Sequence, residues 1–396
     1  MSTYPTVFCI DPSKWETPWW VDRHYLMLGL ASRGWPVVFS NGPISVWNIR
    51  EKNRYSLPFF GRVEAWSSDR NSEILLDRPG LWMLSWPKFL AYDALSHRVH
   101  ARRLVRSVPE SSLKNAIAFL CAPQFADYGT YLDLPHTVYH IHDAYWMRGN
   151  WNEKSQLAHE ALAERADWIF AVSDTMLRNL SASAVEKASV LPHAVYAEEY
   201  IAKSSEPCPE DIKDIPSPRI GYVGRISRKV DLELVQMIAK KRPAWHWVFI
   251  GSVGMGFRDD TGGRRLIEEI SRLPNVHILG PRRQDLVSIY MAHMDVNTMC
   301  YRTIGGQWEA GNPLKMFEYL AVGKPVVGAG LENIRRFGHV IDIPENKDEW
   351  LAAIERALLN GGVGTVEERR KVALENTWNK VVDQLETKLL DIIGRQ

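Results

Sequence analysis

Short apolar segments of β type alternate with segments of helical period along almost the whole chain, in two successive series. This alternation is typical of parallel sheets that are wrapped by helices. The sequence therefore predicts an α/β protein of two doubly wound, Rossmann-like domains. Its 396 residues exceed what one hydrophobic core usually spans, which also favours two domains.

The apolar runs and the capping residues place the predicted elements along the chain. Strands are predicted at residues 6–10, 36–40, 116–121, 137–141, 168–172 and 188–191 in the first series, and at 219–223, 245–250, 276–279, 295–299, 325–328 and 340–342 in the second. The clearest predicted helix covers residues 152–165, and Ser173 is predicted to cap another.

A polar segment separates the two series. Residues 197–218 are rich in Ser, Pro, Lys, Glu and Asp, which is typical of a solvated linker. We therefore predict an N-terminal domain over residues 1–196, a C-terminal domain over 219–378, and a last helix over 379–396 that packs back towards the first domain. Open α/β sheets bind ligands at the carboxyl ends of their strands, so we expect the site in a cleft between the domains.

Composition excludes several classes of protein. The 48 Lys and Arg residues are balanced by 47 Asp and Glu residues, so no overall positive field draws the chain onto nucleic acid. The four cysteines are far apart and form no CxxC pair, which argues against a zinc site or a disulfide framework. The N-terminal residues lack the pattern of a signal peptide, and no apolar run is long enough to span a bilayer. We expect a cytoplasmic protein without a metal or a tightly bound cofactor.

The segment GNPLKMFEYLAVGKPVV contains the start and the end of a short helix. Asn312 is predicted as its N-cap, Pro313 as its first residue and Gly323 as its left-handed end. Lys315 lies in the first turn, where the helix dipole disfavours a cation unless an anion is bound nearby. Glu318 follows on the same face and could accept hydrogen bonds from a sugar diol. The alternative is a surface ion pair between Lys315 and Glu318.

A second segment of the same series also suits a phosphate. The predicted strand RIGYV ends at Gly224, and Arg225, Arg228 and Lys229 follow. Glycine lets a ligand approach the backbone, and several cations at the end of a strand suit a pyrophosphate. The alternative is a solvated basic turn.

With these two segments the chain resembles the GT-B glycosyltransferases, especially bacterial family-4-like members with a PLKxxEYLAxGKPVV signature in the donor domain. The segments GYVGR, WVFIGS, NVHILGPRR and AERADWIFAVSDTML resemble further parts of that family in the same order, so the resemblance covers nearly the whole length. It implies transfer of a sugar from a nucleotide-diphosphate sugar, and the family suggests that this donor is a UDP sugar. The acceptor would be a hydroxyl of a glycan or lipid-linked molecule in bacterial surface polysaccharide assembly.

The resemblance also implies individual roles in donor binding. Cations would meet the diphosphate, Glu318 would hold the ribose hydroxyls, backbone groups of residues 279–282 would contact the base, and the loop 301–309 would close around the donor sugar. The residues implied in the donor site are Gly224, Arg225, Lys229, Tyr301, Glu309, Lys315 and Glu318.

Two departures from the family pattern affect the predicted mechanism. Many retaining members carry two glutamates with seven residues between them, whereas here Ala310 occupies the first of these positions and Glu309 misses it by one. The hinge-like segment has His193, Ala194 and Tyr196 where such proteins often have Asn, Gly and Asp. Without the regular glutamate pair, we favour inversion over retention.

Inverting transfer requires a base for the acceptor hydroxyl. The predicted strand 137–141 is followed by His142 and Asp143 at its carboxyl end, and we predict Asp143 as the base. Side chains alternate along a strand, so at most one of these two residues is expected to face the cleft. The alternative is that Asp143 caps the following loop and that His142 belongs to the core or its rim.

Acceptor-binding residues are predicted in the connection after the first strand. Asp11 follows that strand, although an Asp at the end of a strand often only stabilises the following turn. Flat aromatic faces suit stacking on sugar rings, and packing of the loop is the alternative. The aromatic candidates are Trp15, Trp19 and Trp20.

A basic segment indicates contact with a membrane surface. Arg98, Arg102, Arg103 and Arg106 lie largely on one side of a predicted helix, and such a helix could lie on an anionic bilayer. A solvated helix face is the alternative.

Three other functions remain open at this point. A nucleotide-sugar 2-epimerase would share the phosphate and ribose contacts, and a non-catalytic sugar-binding protein could keep the scaffold. A dinucleotide dehydrogenase is suggested by Gly251, Gly254 and Gly256, but their spacing is not GxGxxG and no acidic residue ends the next strand.

Overall fold

The computed structural model describes residues 4–17, 20–43, 61–67, 72–78, 90–254 and 261–394. The chain divides into two compact units, the first formed by Met1–Pro192 with Val381–Gln396 and the second by His193–Lys380. Both units are sheets of mainly parallel strands with helices between them. The predicted α/β class is confirmed. No helix among the described residues is both long and apolar enough to cross a membrane.

The first unit contains an eight-stranded sheet in the order β3-β4-β2-β1-β5-β6-β7-β8. Its strands are β1 (Val7–Ile10), β2 (Val37–Ser40), β3 (Arg62–Ser67), β4 (Glu73–Arg78), β5 (Ile117–Leu120), β6 (His136–Ile141), β7 (Trp168–Ala171) and β8 (Ala188–Val190). Its helices are α1 (Asp22–Ser32), α2 (Leu90–Val105), α3 (Ala126–Leu132), α4 (Glu153–Arg165), α5 (Asp174–Leu177) and α6 (Ala182–Val185). The strand order reverses between β1 and β5, so their carboxyl ends form the ligand-binding edge of this kind of sheet.

The second unit contains a five-stranded parallel sheet in the order β11-β10-β9-β12-β13. Its strands are β9 (Arg219–Val223), β10 (His246–Ile250), β11 (Val276–Gly280), β12 (Val296–Met299) and β13 (Val326–Gly328). Its helices are α7 (Ala197–Lys203), α8 (Leu232–Lys241), α9 (Thr261–Ser271), α10 (Val287–Ala292), α11 (Leu314–Val322), α12 (Glu332–Arg335), α13 (Lys347–Asn360) and α14 (Val366–Glu375). Here the order reverses between β9 and β12.

The last helix, α15 (Trp378–Gly394), contributes its residues from Val381 onwards to the first unit. Glu386 accepts hydrogen bonds of 2.8 Å from both Arg33 and the Trp35 indole. Val382 fills the space that a side chain at Gly29 would occupy. A close approach of backbone to side chain therefore fixes this helix against α1.

All but one of the predicted strands are present within two residues of their predicted bounds. The strand predicted at residues 340–342 is wrong, because Val340 and Ile341 both donate to the carbonyl of Phe337 in a turn and only Asp342 forms a bridge, to Val327. Two strands were missed. β3 and β4 pair antiparallel at the edge of the first sheet. β3 is mixed polar and apolar, and β4 has only a three-residue apolar run at residues 74–76 between charged residues.

The solvated linker predicted at residues 197–218 is wrong in part. α7 lies within this segment, and Ile212 and Ile215 are buried in the core of the second unit. The polar residues around them mask this apolar contribution in the sequence. The predicted cap at Ser173 is confirmed, since its side chain accepts from the Met176 amide. Asn152, the first residue of the predicted helix, instead precedes α4 and caps it by accepting from the Ser155 amide.

Candidate functional site

Two glycines form the floor of a site at the carboxyl edge of the second sheet. Gly224 follows β9 with a φ of +134°, and Gly251 follows β10 with a φ of +147°. A Cβ on Gly251 would overlap the carbonyl group of Gly224. The loops after β9 and β10 thus touch backbone to backbone, which only glycine permits. This edge lies where the strand order reverses.

Lys315 reaches the same floor from the first turn of α11. Its exposed fraction is 8%, and its amino group lies 3.8 Å from the ring centroid of Tyr222 and 5.7 Å from that of Tyr301. Within the described part of the chain the amino group has no hydrogen-bond partner. A Cβ on Gly224 would overlap it. The surface ion pair considered for Lys315 is therefore wrong, because the side chain is buried between aromatic rings.

Burial changes the protonation of this lysine. Desolvation is the main cause that lowers the pKa of Lys315 well below its usual value of 10.5, and the nearby positive charge of Lys229 lowers it further. Cys300 and Glu318 oppose these effects. A buried amino group without a carboxylate partner is costly unless it loses its proton or gains an anion.

Further cations surround this position. Arg225 and Arg228 are exposed and Lys229 is half-buried. The Lys229 amino group lies 5.1 Å from the ring centroid of Tyr301, and the Arg225 guanidinium lies over Gly254. The structure therefore brings Gly224, Arg225, Lys229 and Lys315 together, as the sequence predicts.

Glu318 lies one turn after Lys315 on α11 and is half-buried. Its Oε1 accepts a hydrogen bond of 2.9 Å from the Tyr200 hydroxyl, and Gln284 donates to the same hydroxyl at 3.4 Å. Burial raises the pKa of the Glu318 carboxyl, whereas the Tyr200 hydrogen bond and the charge of Lys315 act in the opposite direction. Sequence reasoning missed Tyr200, because it lies in the segment assigned to the linker.

The start of α11 differs from its prediction. The residue before its first turn is Pro313, and no side chain caps it. Asn312 instead offers its main-chain carbonyl to the His193 ring, and Asn333 donates to the carbonyls of Ala310 and Gly311. Tertiary contacts therefore replace the predicted cap. The predicted end is confirmed, since Gly323 has a left-handed φ of +80°.

Glu309 stabilises the loop that it belongs to. Its Oε1 accepts from the amides of Gly305 and Gly306 at 2.6 and 3.0 Å. In the same loop Ile304 is 77% exposed, whereas Tyr301 is buried in the core. One oxygen of Glu309 is thus already used within the loop, and its predicted contact with a donor sugar stays a prediction.

The first unit positions the predicted base at the end of β6. Asp143 accepts a hydrogen bond of 2.6 Å from Arg148 through Oδ2. His142 lies 2.8 Å from the Tyr145 hydroxyl through Nδ1. Burial lowers the pKa of His142 well below 6.5, and the charge of Arg23 lowers it further. His142 is therefore a neutral imidazole at neutral pH.

Asp11 is part of a buried ionic cluster that sequence reasoning missed. Its Oδ2 accepts from Arg23 at 2.6 Å, Arg23 also pairs with Asp22, and Asp22 lies 2.8 Å from His140. Asp11 has no exposed surface. It is therefore occupied by a structural ion pair, and the prediction that it contacts an acceptor is not supported by its position. No local motif in the sequence indicates this cluster.

The aromatic candidates differ in exposure. Trp15 is 4% exposed and packs against Trp20, Phe39 and Trp66, so its predicted stacking on a sugar is wrong. Trp20 is half-buried and stacks on His24. Trp19 lies outside the described residues. Only Trp20 among the described candidates retains a partly exposed ring.

The predicted basic helix corresponds to α2 and the residue after it. Arg98, Arg102 and Arg106 are exposed, as is Leu95. Arg103 instead turns inwards to pair with Asp77 on β4. The exposed basic face is therefore smaller than predicted.

Comparison with known proteins gives a family match in the second unit and several solved structures with the same fold. Residues 217–360 match the family described as glycosyl transferases group 1. Solved structures align over nearly the whole chain: trehalose-6-phosphate from E. coli bound with UDP-2-fluoro glucose has a TM-score of 0.69 at 14% identity and covers 97% of this chain and 98% of its own. Anabaena Alr3699/HepE in complex with UDP and glucose has a TM-score of 0.67 at 14% identity, with 98% and 99% covered. The fold is that of the GT-B glycosyltransferases.

One curated relative of this GT-B protein is the putative teichuronic acid biosynthesis glycosyltransferase TuaH of Bacillus subtilis (strain 168). The two are 29% identical over 232 residues, which is 57% of each chain. A glycosyltransferase from Rickettsia africae shares the fold with a TM-score of 0.65 at 12% identity and full coverage of both chains. The resemblance to GT-B glycosyltransferases is thereby confirmed.

Proposed function

We propose that this GT-B protein transfers a sugar from a nucleotide-diphosphate sugar, a UDP sugar, to a hydroxyl group of a glycan or lipid-linked acceptor in bacterial surface polysaccharide assembly. One observation carries the proposal. A buried lysine without a hydrogen-bond partner in the described structure, Lys315, meets a side-chain-free backbone at Gly224 at the ligand-binding edge of a Rossmann-like sheet.

Diphosphate binding explains this arrangement physically. The first turn of α11 lies at the positive end of the helix dipole, and that end favours an anion. A diphosphate there would give Lys315 the negative partner that the protein does not supply. Arg225 and Lys229 would neutralise the remaining charge from the loop after β9.

The neighbouring carboxylate suits the nucleoside. Glu318 lies on the same helix face as Lys315, and a carboxylate is the usual acceptor for a ribose diol. The relatives bound to UDP or to a UDP sugar support uridine as the base. The loop that contains Tyr301 and Glu309 would enclose the donor sugar.

For the transfer we propose inversion with Asp143 as the base. The acceptor oxygen forms a bond to the anomeric carbon as the bond from that carbon to the diphosphate breaks. Asp143 takes the acceptor proton, and the cations of the second unit neutralise the departing diphosphate.

The biosynthetic role of TuaH supports a polysaccharide acceptor.

For a lipid-linked acceptor we propose contact with the inner face of the membrane through Arg98, Arg102 and Arg106. The protein should co-sediment with vesicles that contain anionic lipid, and replacing all three arginines by Gln should abolish this co-sedimentation. Arg272→Gln, at another exposed arginine, is the control. Equal sedimentation of the triple variant would overturn this contact.

The donor assignment is tested by thermal unfolding with millimolar UDP, GDP and ADP sugars. A UDP sugar should raise the unfolding temperature because it binds only the folded state, and Lys315→Met should remove the shift. Lys240→Met, at an exposed lysine of α8, should keep it. If none of the nucleotide sugars shifts unfolding, the donor assignment fails. Formation of an epimerised UDP sugar without any acceptor would exclude the transferase in favour of an epimerase.

A further inference from the structure

A tyrosine of the second unit contacts the carboxylate that the proposed function assigns to the ribose. Tyr200 lies on α7 and Glu318 on α11, 118 residues apart in the chain, and the tyrosine hydroxyl donates to Oε1 at 2.9 Å. Tyr200 is 8% exposed and belongs to the hydrophobic core of the unit. Its ring is therefore enclosed by the core, and its hydroxyl reaches Glu318 from there.

The two carboxylate oxygens of Glu318 differ in their hydrogen bonding. Oε1 is engaged by Tyr200, which is in turn in contact with Gln284. The described structure gives no protein hydrogen bond for Oε2. A carboxylate anchored through one oxygen keeps its plane and its χ angles, so the other oxygen and the remaining lone pair of Oε1 face in a defined direction.

We propose that Tyr200 is a positioning residue for nucleotide recognition, and that its hydroxyl orients Glu318 to accept hydrogen bonds from a ribose diol. This inference rests on the proposed function, because it presupposes that Glu318 contacts the ribose. Tyr200 itself touches Glu318 and need not touch the ligand. An anchored carboxylate avoids the entropy cost of ordering a glutamate when the nucleotide binds.

The same bond affects the charge of Glu318. Burial raises the pKa of this carboxyl, and the Tyr200 hydrogen bond, Lys315 and His193 lower it. Without the hydroxyl, protonation of Glu318 should begin at a higher pH. A protonated carboxyl is a poorer acceptor for a diol. As the pH is lowered, the loss of UDP affinity should therefore begin at a higher pH in the Tyr200→Phe variant than in the native protein.

The test compares two ligands that differ only in the diol. Tyr200→Phe keeps the ring and removes the hydroxyl. It should weaken the binding of UDP about five- to tenfold, which lies within the range of a typical intramolecular hydrogen bond. Binding of 2′,3′-dideoxy-UDP should change less than about twofold. Tyr139→Phe is the matched control, because it removes a buried hydroxyl that bonds to His159 at 2.9 Å in the first unit; it should leave both affinities unchanged.

The outcomes separate the inference from the proposed function. If Glu318→Ala leaves UDP affinity unchanged, the ribose role of Glu318 fails and the proposed donor site with it. If Glu318→Ala weakens UDP and Tyr200→Phe does not, only the positioning role is overturned. Equal losses for UDP and dideoxy-UDP would show that Tyr200 acts through packing alone, which also overturns the inference.

A folding defect would not end the test. If Tyr200→Phe does not fold, the pair Tyr200→His and Tyr200→Leu makes the same comparison, since imidazole can donate to Glu318 and leucine cannot. The histidine variant should bind UDP more tightly than the leucine variant while both bind dideoxy-UDP equally. Equal UDP affinities of the two variants would overturn the inference.

Discussion

The amino group of Lys315 lies 3.8 Å from the ring centroid of Tyr222, at a place that a side chain on Gly224 would occupy. The position of the lysine therefore depends on the glycine. A residue with a Cβ after β9 would displace the end of the lysine side chain. This pairing carries the proposed diphosphate site.

Gly224→Ala should weaken nucleotide binding more than it destabilises the fold. The new Cβ forces the end of Lys315 to move, and a φ of +134° strains an alanine by about 1–3 kcal/mol. We expect UDP affinity to fall at least tenfold in a titration, with unfolding still cooperative. Gly149→Ala, where a Cβ would meet open space, should bind UDP normally. Unchanged UDP affinity in Gly224→Ala would contradict the site.

Lys315→Met should raise the stability of the free protein while it abolishes diphosphate binding. Methionine fills similar space without a buried amino group that the described residues leave unpaired, and such a group is costly. We expect a higher unfolding temperature without ligand and no further rise with UDP. A variant that unfolds at a lower temperature, or that still binds UDP as the native protein does, would refute the assignment.

UDP binding should be coupled to uptake of a proton by Lys315. Burial lowers the pKa of Lys315 well below 10.5 in the free protein, whereas a bound diphosphate favours the charged lysine and raises that pKa again. Calorimetry in buffers of different ionisation enthalpy should detect uptake at pH values above the lowered pKa and below 10.5.

The same pKa gives the sign of the pH dependence of stability. The unfolded chain binds more protons than the folded one between the lowered pKa and 10.5, so the contribution of Lys315 becomes more favourable as pH rises through this window. Lys315→Met should show neither this change nor proton uptake with UDP. If UDP binding to Lys315→Met took up as many protons as binding to the native protein, the proton uptake would belong to another group.

Asp143→Asn should remove turnover and leave donor binding intact. The amide cannot accept the acceptor proton, and loss of a general base commonly lowers kcat about 10²- to 10⁴-fold. Asn can still accept the hydrogen bond from Arg148, so the local structure should persist. UDP affinity should stay within about twofold. Full activity of the variant would exclude Asp143 as the base.

Much of the site could be predicted from local patterns. The apolar runs placed β9 within its observed bounds, and Gly224 with its following cations came directly from that boundary. Lys315 and Glu318 share a helix face because of their spacing, and Gly323 ends that helix as predicted. Each of these inferences depends only on residues within a few positions of one another.

Contacts between distant segments could not be predicted in this way. Tyr200 was assigned to a solvated linker, yet it bonds to Glu318, and Asp11 was assigned to a binding edge, yet it pairs with Arg23. Trp15 was expected to present a ring and is buried instead. These outcomes depend on how helices pack against a sheet, which short-range periodicity does not encode.

The sequence by itself determined the two α/β series, most of their strands and the helix that carries Lys315 and Glu318, because backbone preferences, capping and periodicity act over a few residues. Only the tertiary structure decided that Lys315 is buried without a hydrogen-bond partner in the described structure, between Tyr222 and Tyr301, and that Glu318 is held by Tyr200. Burial and long-range hydrogen bonds set the charge and the direction of these groups, and both arise only when distant segments pack together.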